Sequence, residues 1–303
     1  MTRTKQTTAF VLGGGGARGA LQVGALRALL EAGIQPDMLV GTSIGAVNAA
    51  FLAKYGLSQE SLPQLEKSWH VAAEADLLPR HYLWLTIRML FNRSGTDVQQ
   101  HIRDFLVDQG LDPALRFGDL SGPRLFLVAA DLQKGGVALY GTDPSQSILE
   151  GVLASTAILP WVRPLERDDH LLVDGGILSN LPIEPALSHG ATEIIALDLA
   201  DPRPVDLGVG DIGPFLFHLA YSVQQRQIHL EKKLAAQHGV PVHHIQLRGE
   251  SPVAVWEFPR ATSLFEPGYK LTREYLATHP ELGQKPQLPW WRRLRLSLPR
   301  GNP

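Results

Sequence analysis

The run Gly41-Thr42-Ser43-Ile44-Gly45 narrows the folds open to this chain more than any other stretch. The apolar segment Asp37-Met38-Leu39-Val40 leads into it and the small-residue helical segment Ile44 to Ala53 leads out, so Ser43 falls where a strand turns sharply into a helix. That is the setting a G-x-S-x-G nucleophile elbow needs. Gly41 and Gly45 have a mechanical reason to be there, because the tight turn crowds the backbone against its neighbours and only a residue without Cβ takes the unusual dihedrals cheaply. The helix start behind Ser43 turns unpaired N–H groups toward any negative charge forming beside it. In a chain with 29 glycines the pattern also arises as a plain tight turn, and that is the competing reading.

A second glycine-rich stretch precedes the elbow. Ala9-Phe10-Val11-Leu12 reads as a short buried strand, Gly13 to Gly19 as a loop, and Ala20 to Ala32 as a helix that Gly33 stops. Strand, glycine loop and helix start make an anion cradle, since successive backbone N–H groups can converge on one oxygen. Gly14, Gly16 and Gly19 also satisfy G-x-G-x-x-G. A dinucleotide site, however, wants an acid at the end of the second strand. Here that strand ends in the elbow and Asp37 precedes it. The loop therefore reads as an oxyanion hole drawn from Gly14, Gly15, Gly16, Ala17, Arg18 and Gly19, against the alternative of a turn that only tightens packing. Arg18 has two open roles, holding the loop or attracting an anionic head group.

Downstream, Ser58 to Trp69 looks helical, and Asp76 to Arg93 is apolar with scattered charges. The latter reads either as a buried helix or as a cap lining an apolar channel. Asp97 to Asp108 reads as a helix, Arg124 to Asp131 and Gly136 to Tyr140 as strands, and Ser147 to Ala157 as a helix. Leu171-Leu172-Val173 runs straight into Asp174-Gly175-Gly176, an acid at a strand end, although Asp-Gly also marks a hairpin turn. Glu193 to Leu199 is a further strand, Asp201 to Pro214 a surface loop, Phe215 to His238 a helix closed by Gly239, and Val242 to Leu247 a last strand. The alternation predicts an α/β fold: three layers, with a doubly wound, largely parallel central sheet and helices on both faces. One domain, residues 9–279, is expected between a polar N-terminal tail, 1–8, and an irregular tail, 280–303.

The bulk properties exclude more than they assign. With 28 basic and 30 acidic residues the net charge is −2, which lacks the basic footprint of a nucleic-acid binder. There are no cysteines, hence no disulfide or thiolate metal site. No H-E-x-x-H spacing occurs, and neither a metal nor a cofactor is expected. No secretory apolar region or 18-residue apolar span appears, so the expectation is a soluble, cytoplasmic protein. Trp290, Trp291, Arg292, Arg293 and Arg295, with leucines between and after them, have the composition of a segment lying at a membrane interface. Peripheral membrane contact is expected there, against a tail that packs on its own domain or stays disordered.

With Gly14-x-Gly16-x-x-Gly19, Gly41-x-Ser43-x-Gly45 and Asp174-Gly175-Gly176 in that order, the chain resembles the patatin-like phospholipase family. Ala154 to Pro160 is similar to the small-residue segment that family carries before its acid, and Asn180 and Pro182 match its Asn-x-Pro. The likeness runs from about Ala9 to Leu199. Gly176 departs from it where many members have alanine. The resemblance implies a lipid acyl hydrolase acting on acyl-lipids or phospholipids through a Ser43–Asp174 dyad without histidine, with an acyl-Ser43 intermediate. Serine needs a base within hydrogen-bond reach. Aspartate, with a reference pKa near 3.9, is a poor one unless geometry and desolvation help. Rival readings are a triad completed by His218, His229, His243, His244 or His279, an acyltransferase using the same acyl-serine, and a non-catalytic nucleotide-binding or scaffold protein.

Overall fold

Strand β1 (Thr8–Leu12) lies at the centre of the chain's sheet, and the computed structural model describes residues 6–75, 77–78, 96–159, 161–200 and 212–283 around it. The remaining strands are β2 (Met38–Thr42), β3 (Arg124–Asp131), β4 (Gly136–Tyr140), β5 (Leu165–Arg167), β6 (His170–Asp174), β7 (Glu193–Leu199) and β8 (Val242–Leu247). They join in the order β5-β6-β3-β2-β1-β7-β8, with β4 also on β3. From β3 to β8 in that order every pairing is parallel, while the pairings of β4, β5 and β6 are antiparallel.

Parallel strands must be covered on both faces, and the alternation along β1 shows how. Phe10 and Leu12 face a core shared with α1 (Ala20–Glu31), α2 (Ile44–Tyr55), α3 (Ser61–Glu74), α4 (Thr96–Asp108) and α5 (Ile148–Ser155). Ala9 and Val11 face the opposite core, built with α6 (Ile183–Ser188) and α7 (Ile212–Gln237). A last helix, α8 (Phe265–Thr278), packs on α1. The two helices meet backbone to backbone at Gly24 and Gly268. A Cβ on Gly24 would stand 1.8 Å from the Phe265 carbonyl oxygen. The three-layer, largely parallel α/β architecture expected from the alternation is thus the one observed.

Several local readings change. α7 begins at Ile212, so Pro214 lies in its first turn and not in the preceding loop. Proline is tolerated there because a first-turn N–H has no intrahelical partner to lose. A 3-10 turn, Pro280–Gly283, opens the stretch expected to be irregular, and residues 284–303 lie outside the described residues. Of the apolar stretch Asp76 to Arg93 only Leu77 and Leu78 fall among the described residues, and both are buried. Most of the 201–214 loop and the Trp290–Arg295 segment lie outside them. No helix among the described residues is long and apolar enough to cross a membrane.

Candidate active site

β2 delivers Ser43 to the C-terminal edge of the sheet with φ 56° and ψ −127°, a conformation that few non-glycine residues adopt. It is held from three sides. A Cβ on Gly45 would lie 2.1 Å from the Leu12 carbonyl oxygen, so only glycine lets the start of α2 sit against β1. The Ser43 N–H donates to Ser155 Oγ at 2.8 Å, and that hydroxyl donates in turn to the Val128 carbonyl at 2.6 Å. Thr42 Oγ1 donates to the Ser179 carbonyl at 2.8 Å.

Asp174 reaches Ser43 through the register of β3. Val128 pairs with Thr42 on one edge and Leu139 on the other, and Ala129 pairs with Asp174 and Ala138. β2 and β6 therefore lie end to end along the same edge of β3, and the last residue of β6 falls next to the first residue after β2. Ser43 Oγ donates to Asp174 Oδ2 at 2.5 Å, and Asp174 Oδ1 accepts the Gly176 N–H at 2.8 Å. Ser43 is 9% and Asp174 6% exposed. Burial pushes the Asp174 carboxyl up to about 6, against the pull of the bonds from Ser43 and Gly176.

The glycine loop packs directly on this pair: a Cβ on Gly14 would stand 3.0 Å from Ser43 Cβ. Its N–H groups are not all available. Those of Gly14, Ala17 and Arg18 donate to the carbonyls of Asn180 (3.0 Å), Val255 (2.9 Å) and Gly15 (3.3 Å), as buried donors must. Gly19 closes the loop's 3-10 turn against Ile44 and Trp69, and its carbonyl accepts from Asn48 Nδ2. Three of the six expected donors are thus engaged within the fold. The N–H groups of Gly15 and Gly16 have no acceptor among the described residues, and Gly16 lines the same cleft as Ser43. Of the two roles open to Arg18 the geometry favours the first, since the side chain is buried and its Nε donates to the Gly15 carbonyl. Gly41 packs beneath the elbow, Gly175 against the Val128 carbonyl, and Gly176 beside Asn180 and Asp174.

The histidines are engaged elsewhere. His244 bonds to Asp198 at 2.9 Å, His243 lies 3.6 Å from Glu193, His279 bonds to the Tyr275 carbonyl, and His229 is exposed. The side chain of His218 is outside the described residues. Among those described, no cluster of His, Asp or Glu could hold a metal ion.

Sequence reasoning missed several supports. Gln22 Nε2 donates to the Gly13 carbonyl at 2.8 Å, Asn48 Nδ2 to Gln22 Oε1 at 2.9 Å, and Trp69 Nε1 to Asn48 Oδ1 at 3.1 Å, a buried chain tying three helices to the glycine loop. The signal was a lone amide on an otherwise apolar helix stretch, Gln22 beside Leu21 and Val23 and Asn48 beside Val47 and Ala49. From Ser43 an almost wholly apolar cleft, open to solvent at its mouth, runs between α2, α3 and α4. Leu77 and Leu78 line it too.

The chain is 35% identical over 209 residues to patatin-like phospholipase domain-containing protein 7 of Rattus norvegicus, covering 67% of this chain and 14% of that one. It is 32% identical over 208 residues to the neuropathy target esterase sws of Drosophila melanogaster, with the same coverage. The chain thus spans about 14% of the length of these curated relatives. The patatin-like phospholipase family model matches residues 10–187, which hold the glycine loop, the elbow and Asp174, and the chain belongs to that family.

Proposed function

We propose that this chain is a serine acyl hydrolase that cleaves the acyl ester of a lipid through an acyl-Ser43 intermediate, with Asp174 as the base. The observation that carries the reading is the 2.5 Å hydrogen bond from Ser43 Oγ to a buried carboxylate at the head of an apolar cleft. Relatives named as a phospholipase and an esterase support a lipid ester as substrate.

In the first half-reaction Ser43 Oγ attacks the ester carbonyl carbon while Asp174 Oδ2 takes the hydroxyl proton. The carbonyl oxygen becomes an oxyanion, for which the Gly15 and Gly16 N–H groups are the donors at hand, joined by those at the start of α2. Collapse breaks the bond to the alcohol, which leaves with the proton from Asp174. Water then repeats the sequence: Asp174 takes its proton, hydroxide adds to the acyl-Ser43 carbonyl, and Ser43 Oγ departs with that proton. The raised pKa suits both roles, because a carboxyl near 6 is a better proton acceptor than an ordinary aspartate and still releases the proton at neutral pH.

The test is fatty-acid release from a monoacyl phospholipid by purified protein. Ser43→Ala and Asp174→Asn are each expected to lower turnover by at least about a thousandfold. His218→Ala, His229→Ala, His243→Ala, His244→Ala and His279→Ala are each expected to keep most of it. A single histidine replacement that inactivates a folded protein would establish a triad instead. Peripheral membrane contact through Trp290, Trp291, Arg292, Arg293 and Arg295 would bring a cytoplasmic enzyme to such a substrate. Deleting residues 290–303 is accordingly expected to weaken co-sedimentation with anionic liposomes.

A further inference from the structure

The cleft has a direction. Ser43 stands at the N-terminal end of α2, and Val47, Phe51 and Lys54 follow along the wall at helical spacing. Eleven residues at about 1.5 Å each put Lys54 roughly 16 Å from Ser43. Among the described residues Lys54 is the only charged side chain lining the cleft. Its Nζ donates to the carbonyl oxygen of Gly110, just past the end of α4, and lies 4.8 Å from the centroid of the Tyr55 ring. The Tyr55 hydroxyl crowds Gly110 as well, 2.6 Å from where a Cβ would stand. At this point α2 and α4 are bridged across the cleft by an ammonium and a carbonyl. Lys54 and Gly110 are half-buried and Tyr55 is exposed, so hydrocarbon passing further would have to displace the ammonium from its acceptor and would emerge at a polar, solvent-facing rim where burial no longer stabilises it.

We propose that the cleft measures acyl chains: a single linear acyl group esterified to Ser43 lies along α2, and the bridge from Lys54 to Gly110 is the stop that limits its length. This rests on the acyl-hydrolase reading of Ser43. Carbon–carbon bonds of about 1.5 Å advance about 1.25 Å each along an extended chain, so roughly 16 Å accommodates about 12 to 14 carbons. The favoured substrate class is then a medium-chain linear acyl ester. Longer chains gain nothing from methylenes that reach past the bridge. A purely structural Lys54, one that only caps the C-terminal end of α4, would leave chain-length preference untouched.

The experiment measures kcat/KM for acyl esters of one soluble alcohol, from about 4 to about 18 carbons, each below its critical micelle concentration. For the wild type, kcat/KM is expected to rise about fourfold per methylene and then level off or fall beyond about 12 to 14 carbons. Lys54→Ala removes the stop and is expected to raise the ratio of kcat/KM for an ester of about 16 carbons to that of about 6 carbons by at least about tenfold. Phe51→Trp, which narrows the cleft partway along, is expected to lower the same ratio by at least about tenfold. Because the two substitutions act in opposite directions, either one folded suffices for a decision. Wild-type activity with superimposable profiles in the variants overturns the ruler and leaves the hydrolase standing. No turnover at any length, with Ser43 unreactive toward a fluorophosphonate, overturns the hydrolase reading itself.

Discussion

At the scale of single residues, the site stores unfavourable free energy in two places, and both have measurable consequences. Ser43 holds a positive φ, a strain of order 1–3 kcal/mol sustained by its neighbours. Ser155 is one of them. Ser155→Ala would leave the buried Ser43 N–H without its acceptor, and a loss of about 1–3 kcal/mol is expected in chemical unfolding, together with reduced turnover. The second place is Asp174, whose pKa is 3.8 ordinarily and about 6 when buried here. Between those values the folded protein keeps a proton that the unfolded chain has released, so the contribution of this group to stability falls as pH rises through that window. The corresponding cost at neutral pH is of order 3 kcal/mol. Asp174→Asn is therefore expected to melt at a higher temperature than the wild type at about pH 7.5, with the difference closing by about pH 4. Thermal unfolding at the two pH values checks it.

At the scale of elements, β3 does most to assemble the site, because its one edge carries β2 and then β6. α7 holds the far side of the acid-bearing loop. Glu231 accepts from Ser179 Oγ at 2.9 Å and from the Glu184 N–H at 2.8 Å, and burial raises its carboxyl. Gln224 Nε2 donates to the Gly176 carbonyl at 3.0 Å. Glu231→Ala strands those donors, and a stability loss of about 1–3 kcal/mol is expected from the urea midpoint. The same contrast between local and long-range contacts explains what could be read beforehand. The glycine loop, the elbow and Asp174-Gly175-Gly176 are local patterns set by turn geometry, and the long strands show as apolar runs. The meeting of Ser43 with Asp174 depends on the pairing of β3, which no local pattern encodes, and came instead from family likeness. β5 and α6 are too short to show a period. That the N–H groups of Gly14, Ala17 and Arg18 meet acceptors on Asn180, Val255 and Gly15 was not legible, because those contacts depend on the folded path of the chain.

At the scale of the whole molecule, the family match ends at residue 187, yet the site does not. β7 flanks β1 on the side away from β2; the Gly13 N–H donates to the Leu197 carbonyl and the Ala17 N–H to that of Val255. A fragment ending at residue 187 would expose a long edge of β1 and lose both acceptors. It is expected to show no cooperative unfolding transition by circular dichroism and no fluorophosphonate labelling. All of these elements converge on one hydrogen bond, and the most direct test is the rate of fluorophosphonate labelling as a function of pH, with the adduct located by peptide mass spectrometry. The expected result is an adduct on Ser43 whose rate of formation falls about tenfold per pH unit below about 6, and labelling at least about a hundredfold slower in Asp174→Asn, without that limb. Labelling of Asp174→Asn at the wild-type rate and with the wild-type pH profile would contradict the role assigned to Asp174.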